Sequence, residues 1–276
     1  MPEKQKISVL MSVYVKENPT FLRDAIKSVQ NQTLKPSELV LVEDGPLTPE
    51  LYQVLEEVEA QSDIPVKRCP LEENQGLGLA LRYGVLQCQY DIIARMDTDD
   101  IAVSDRFEKQ VQLMEQENLD LLGGHIAEFI DNPDEIVSYR RVPTQHADIV
   151  AYQRMRSAFN HMTVMFKKDM VLKAGNYEDG LYMEDDLLWL NMIAAGAKTG
   201  NLDQILCKVR VGAGMFERRG GLRYLKLYRQ ARQRMLERGQ ISYMEYAKSV
   251  AIQAIVALCP GFVRQFIFVK LLRKRK

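Results

Sequence analysis

Residues Ala94–Asp100 read ARMDTDD and directly follow the apolar run YDII, Tyr90–Ile93. Four consecutive positions thus carry Asp97, Asp99 and Asp100 at the end of what reads as a buried strand. Like charges at this spacing repel, so the crowding needs a reason. In extended chain, residues 97 and 99 point to the same side. One or two carboxylate oxygens, completed by phosphate and water, suit Mg²⁺ or Mn²⁺. The alternative is local: Asp99 and Asp100 could cap a helix that starts near Ser104.

Strands and helices alternate upstream of this stretch. Lys6–Val15 (KISVLMSVYV) reads as a buried first strand. Residues 20–33 carry apolar side chains at 21, 22, 25, 26 and 29, which is helical spacing. SELVLVEDG (37–45) is a second strand, and TPELYQVLEEVEAQ (48–61) a second helix with Thr48 as cap and Pro49 at its first position. IPVKRCP (64–70), GLGLALRYGVLQC (76–88) and YDIIARMD (90–97) continue as strand, helix and strand. This order implies an α/β fold with a parallel sheet and helices on both faces. Ligands of such sheets lie beyond the carboxyl ends of the strands. Ser12, Tyr14, Asp44 and Asp97–Asp100 are therefore expected on one rim.

Beyond residue 100 the alternation weakens. SDRFEKQVQLMEQEN (104–118) predicts an amphipathic helix capped by Ser104 or Asp105, and DLLGGHIAEFI (120–130) a strand. HMTVMFKK (161–168) reads as a strand followed by a short helix at Asp169–Ala174. EDDLLWLNMIAAG (184–196) predicts a helix stopped by Gly196. The expected organisation is a domain over 1–221, with a nucleotide-binding half (1–100) and an acceptor-binding half (101–221) forming a mixed sheet. A helical, basic extension over 222–276 follows.

The 276 residues have zero formal net charge, but its distribution is uneven. Residues 247–276 carry seven basic and no acidic side chains, so the remainder is net −7. Such a tail suits an anionic membrane surface or is a solvated helix packed on the body. AIVALCPGFV (254–263) is too short to span a bilayer, whereas RQFIFVKLLRKRK (264–276) pairs apolar with basic residues, as interfacial segments do. Four cysteines without a CxxC pair read as reduced thiols, implying a cytoplasmic protein, and three histidines show no metal-ligand spacing. No nucleic-acid partner is expected. Gly76-x-Gly78 is not a dinucleotide loop, because Leu81 stands where the third glycine belongs.

Six ordered blocks over Ile7 to about Gly221 give the chain a specific resemblance. They are SVLMSVYVKEN (8–18), LVEDG (41–45), NQGLGLALRYG (74–84), ARMDTDD (94–100), FNHMTVMFKK (159–168) and YMEDDLLWL (182–190). Together they resemble the family 2 glycosyltransferases of the GT-A fold, a Rossmann-like and mostly parallel sheet. The resemblance implies an inverting transferase that moves a sugar from a nucleotide-sugar, by expectation a UDP-sugar, to an acceptor hydroxyl. It implies Asp185 as catalytic base, with Asp99 and Asp97 holding Mn²⁺ or Mg²⁺. Ser12, Tyr14, Asp44, Asn74, Gly76, Arg82 and Asp97 become nucleotide contacts, Asp44 accepting from the uracil imide. Arg95, Asp100, His161, Glu184, Trp189, Arg218 and Arg219 become candidate donor or acceptor contacts. Several assignments have structural alternatives. Asp100 could merely shape the loop, Glu184 and Asp185 could serve the helix dipole, and Trp189 could divide between core and acceptor wall.

The sequence departs from the family pattern at Arg82, where Asn is usual, at Met162, where Pro is usual, and at Gly212, where many relatives carry His. Arg218 and Arg219 could replace the lost positive charge or form a basic surface loop. The string RVGAGMFERRGG (210–221) resembles the subgroup that assembles bacterial capsule, O-antigen and exopolysaccharide. That implies a polyprenyl-diphosphate-linked glycan acceptor and attachment to the inner face of the plasma membrane. A TDP-rhamnose donor and an inactive scaffold of the same fold are the competing readings. Phosphoryl transfer to aspartate is disfavoured, since Ile101 replaces the threonine of D-x-D-x-T.

Overall fold

The computed structural model describes residues 5–179, 183–212 and 221–259. The four expected N-terminal strands form: β1 (Ile7–Val13), β2 (Glu38–Glu43), β3 (Val66–Pro70) and β4 (Ile92–Arg95). They pair in parallel in the order β3-β2-β1-β4. Helices α1 (Pro19–Gln30), α2 (Pro49–Gln61) and α3 (Leu77–Gln87) connect them. Asn18 caps α1 by accepting from the amides of Thr20 and Phe21, and Thr48 caps α2 ahead of Pro49.

Period-two alternation divides the core. Ile7, Val9, Met11 and Val13 of β1 face α1, α2 and the next helix, α4 (Arg106–Glu117). Leu10, with Val40, Val42 and Ile93, faces α3 and the helices that follow. Each Val, Leu or Ile buried this way contributes about 1.5–3 kcal/mol. Gly84 lets α3 lie close on the sheet: a Cβ there would meet Leu10 Cδ1 at 2.4 Å and Val42 Cγ2 at 2.8 Å. Gly84→Ala is therefore expected to destabilise the fold by about 1–3 kcal/mol in denaturant unfolding.

The second half completes a mixed sheet with β5 (Ile101–Ala102), β6 (Leu121–Phe129), β7 (Ile136–Arg140), β8 (Met165–Lys167) and β9 (Thr199–Arg210). The path runs on from β4 through β8, β6 and β9 to β5, with β7 on β6. Helices α5 (His146–Gln153), α6 (Lys168–Lys173) and α7 (Glu184–Ala194) cover the α3 face. Three expectations are corrected here. The fourth strand stops at Arg95, two residues short of Asp97. Residues 161–163 form a 3₁₀ turn, so the strand there is only Met165–Lys167. Neither Ser104 nor Asp105 caps α4 with its side chain; Asp105 instead pairs with Lys109 at 2.7 Å.

Helices α8 (Gly221–Glu237) and α9 (Tyr243–Leu258) form a hairpin against α7. Met183, Leu187 and Leu190 pack on Ala231, Met235 and Ile241. Buried Arg232 reinforces the joint, donating from Nε to Ser249 Oγ at 3.0 Å and from Nη2 to the carbonyl of Arg154. Arg218, Arg219 and residues 260–276 of the basic tail lie outside the described residues.

Candidate active site

Strand register brings the predicted rim together. Leu10 pairs with Arg95 and Val13 with Glu43, while the amide of Asp44 donates to the carbonyl of Val13 at 2.8 Å. Ser12, Tyr14, Asp44 and Asp97 thus lie at the carboxyl edge of adjacent strands. Asp44 is buried, and its carboxylate organises the loop before α3. It accepts from Asn74 Nδ2 (3.0 Å) and from the amides of Gln75 (2.7 Å) and Gly76 (3.1 Å). A carboxylate has about four acceptor positions, and groups among the described residues use three of them.

Asp97, Asp99 and Asp100 present one oxygen each within 4.8 Å of one another. Asp100 is buried, and its Oδ1 accepts the amide of Arg210 at 2.9 Å, joining the acidic loop to the end of β9. Asp99 and Asp100 therefore do not cap α4, which begins only at Arg106, beyond β5. Burial, then the charges of Asp99 and Asp97, push the Asp100 carboxyl well above the usual carboxylate range. A divalent cation would relieve that repulsion, so this donor set fits Mg²⁺ or Mn²⁺.

Two arginines lie within the protein next to the cluster. Arg95 is buried and donates from Nη2 to Asp97, while its Nε and Nη1 have no hydrogen-bond partner among the described residues. Burial opposes its charge, but Asp97 outweighs that and keeps the guanidinium protonated. Arg106 was not singled out by sequence. It is fully buried and braces the loop from below, donating from Nη2 to the carbonyls of Arg95 (2.8 Å) and Val164 (3.3 Å). One signal could have found it: Arg106 shares the inward stripe of α4 with Phe107, Gln110, Val111 and Met114.

The candidate base sits in the first turn of α7. Gly78 allows α3 to abut this turn, because a Cβ there would come within 3.0 Å of Glu184 Cβ. Asp186 is engaged by Gln153 Nε2 at 2.7 Å. Asp185 keeps partial exposure, yet burial among protein groups, with Asp186 and Glu184 beside it, pushes it up to about 8. Glu184 is raised as well, chiefly by burial. The charge of Arg95 reaches both Glu184 and Asp185, linking the base to the acidic loop.

The remaining candidates separate. His161 does have a partner that sequence reasoning missed: its Nε2 lies 2.8 Å from the hydroxyl of Tyr177. Burial and nearby Arg95 lower its pKa far enough to keep the imidazole neutral. Trp189 is completely buried among Phe159, Phe166, Tyr177 and His161. It supports the site from behind and is no acceptor wall. Arg82, expected as a nucleotide contact, also braces the fold. Its Nη1 donates to the carbonyl of Tyr177 at 3.0 Å, and its carbonyl accepts from Asn176, tying α3 to the segment that leads toward α7.

A GT-A fold with an acidic cluster at its strand edge and a carboxylate at a facing helix start defines a sugar-transferring enzyme. The chain belongs to glycosyl transferase family 2, whose family model matches residues 8–173. An uncharacterised glycosyltransferase of Haemophilus influenzae is 48% identical over 80% of this chain and 82% of its own length. The amylovoran biosynthesis glycosyltransferase AmsE of Erwinia amylovora is 39% identical over 95% of this chain and 98% of its own. The UDP-Gal:alpha-D-GlcNAc-diphosphoundecaprenol beta-1,3-galactosyltransferase of Escherichia coli is 34% identical over 98% and 97%. Among solved structures, S. aureus TarS 1–349 with UDP-GlcNAc superposes with a TM-score of 0.62 at 16% identity, over 95% of this chain and 70% of that one.

Proposed function

We propose that this enzyme is an inverting, metal-dependent transferase that moves a sugar from a UDP-sugar to a lipid-diphosphate-linked glycan during assembly of a bacterial surface polysaccharide. The carrying observation is the meeting of the three-carboxylate cluster with Asp185 around Arg95. The donor and acceptor classes are supported by the E. coli relative, named for UDP-galactose and a diphosphoundecaprenol acceptor. The surface-polysaccharide setting is supported by AmsE.

Asp44 receives the imide N–H of uracil on its remaining acceptor position, and Ser12 and Tyr14 flank the base and ribose. Asp97 and Asp99, with Asp100 behind them, would hold the divalent ion, whose chemistry is neutralisation of the diphosphate charge. The buried Arg95 guanidinium holds positive charge beside the cluster, which favours the anionic diphosphate there. Asp185 takes the proton of the acceptor hydroxyl as that oxygen bonds to the anomeric carbon. The bond from that carbon to the phosphate oxygen breaks, and its electron pair leaves with the nucleoside diphosphate. Attack on the face opposite the leaving group inverts the centre.

The test is nucleoside diphosphate release from a panel of UDP-, TDP- and GDP-sugars, with Mn²⁺, Mg²⁺ or EDTA. Turnover of one UDP-sugar, lost in EDTA, is the expected outcome. Preference for TDP-rhamnose would correct the donor. No turnover and no metal-dependent nucleotide binding would mean a scaffold that has kept the fold.

A further inference from the structure

The outward face of α9 is apolar except for Lys248. At 100° per residue, Met244, Lys248, Ala251, Ile252, Ile255 and Leu258 fall within an arc of about 120°. Met244, Ile255 and Leu258 are 76%, 69% and 60% exposed, and Ile252 is 50% exposed. The opposite face carries Ser249, Val256 and Ala257, which are buried. The helix is therefore fixed to the body on one side and leaves a continuous apolar stripe on the other. Stripes of this kind mark contact surfaces.

Charge identifies the contact. No acidic residue follows Glu245, the stripe itself includes exposed Lys248, and residues 260–276 contain six basic side chains. A two-fold dimer through this face would lay the stripe and its cationic flank on copies of themselves, bringing like charges together. An anionic bilayer meets both features, taking the apolar side chains below its headgroups and the cations at its surface. No helix among the described residues is long and apolar enough to cross a membrane, so the helix would lie flat.

The geometry points to α9 as a membrane-docking helix, its Met244–Leu258 stripe inserted into an anionic lipid surface. The inference deepens the reading of a lipid-linked acceptor and rests on it. It also carries a mechanical consequence. The α8–α9 hairpin is held to α7 through the apolar cluster that Leu187 and Leu190 share with Ala231 and Met235, and Arg232 ties the same hairpin to the carbonyl of Arg154 just after α5; α7 begins with the candidate base. Docking therefore orients Asp185 relative to the plane where a lipid-borne sugar emerges.

Flotation of the full chain with vesicles of phosphatidylglycerol and phosphatidylcholine, against phosphatidylcholine alone, tests this. The wild type should float with the anionic vesicles and less so in high salt. The double variant Ile252→Glu, Ile255→Glu should lose at least tenfold in binding while releasing nucleoside diphosphate from free donor at the wild-type rate. Lys248→Gln, a milder change that keeps the apolar stripe, should lose about fivefold. Binding unaltered in these variants, or a wild type that never floats, would overturn the inference. So would loss of a dimer in the double variant by sedimentation, with no vesicle binding in either form. Absence of nucleotide release in every form would instead count against the transferase reading and leave the flotation result standing.

Discussion

Asp185→Asn should lower kcat by about 10²–10⁴-fold and at the same time make the protein more stable at alkaline pH. Both effects come from one carboxyl. As general base it must be ionised, and its elevation to about 8 makes it a stronger proton acceptor than an ordinary aspartate. The wild-type kcat/KM should therefore climb with pH up to about 8 and fall on the acid side as the base is protonated. Stability runs the other way. The folded state holds this proton more tightly than the unfolded chain does. The wild type thus loses stability as pH rises from the unfolded value near 4 to about 8. Asparagine has no proton to lose, so its advantage is absent in acid and complete above pH 8. Its size is roughly 2–5 kcal/mol after allowing for the partial exposure of the site. Thermal melts of both forms at pH 4 and pH 8.5 measure the difference. Equal melting temperatures at both values would show that Asp185 is not raised, and a fully active Asp185→Asn would remove it as base.

The parallel half was legible because strands buried on both faces are written as near-continuous apolar runs, Val9–Met11 within ISVLMSV and Leu39–Val42 within ELVLVE among them. The other half was less so. The longest strand among the described residues, β9, reads TGNLDQILCKVR, with the four residues Leu202–Ile205 exposed or half-exposed in its middle, so no period announces it. Its partner β6 supplies the burial, and that contact is long-range in sequence. The short strand β7 and helix α5 were missed for the same reason. Within the site, the spacing of ARMDTDD offered a cation cluster beside a capping alternative, and Asp44 and Asp185 were proposed through the family resemblance, but their supports were in neither. Tyr177 reaches His161 across 16 residues, and Arg106 reaches Cys207 across 101. Trp189 shows the opposite error: an aromatic residue on a helix beside the candidate base was read as half exposed, yet four neighbouring rings bury it. Arg82 stands in α3 where the family pattern has asparagine, and its length lets it reach the Tyr177 carbonyl, 95 residues away in sequence.

The three acids of the loop should respond alike to metal and differently to folding, which separates a cation site from a structural turn. In the wild type, Mn²⁺ at about 100 times its dissociation constant should add about 2.7 kcal/mol of stability. Asp97→Asn, Asp99→Asn and Asp100→Asn should each largely abolish that increment, and with it nucleotide release. Without metal their stabilities should diverge. Asp97 is the hydrogen-bonded partner of buried Arg95, and its neutralisation leaves an uncompensated guanidinium, at a cost of about 3–5 kcal/mol. Burial and the neighbouring acids hold the Asp100 carboxyl well above the usual carboxylate range, so neutralising it removes an unfavourable charge. Asparagine there keeps an oxygen for the Arg210 amide, so the fold should be nearly unchanged. Asp99→Asn removes a like charge from the cluster and should be neutral or slightly stabilising. If Mn²⁺ fails to raise the melting temperature of the wild type, the cluster is not a metal site, and Asp100 merely fastens the loop to β9. If it does so in the wild type and in none of the three variants, the repulsion built into ARMDTDD is what a bound cation relieves, with Arg95 holding its first carboxylate in place.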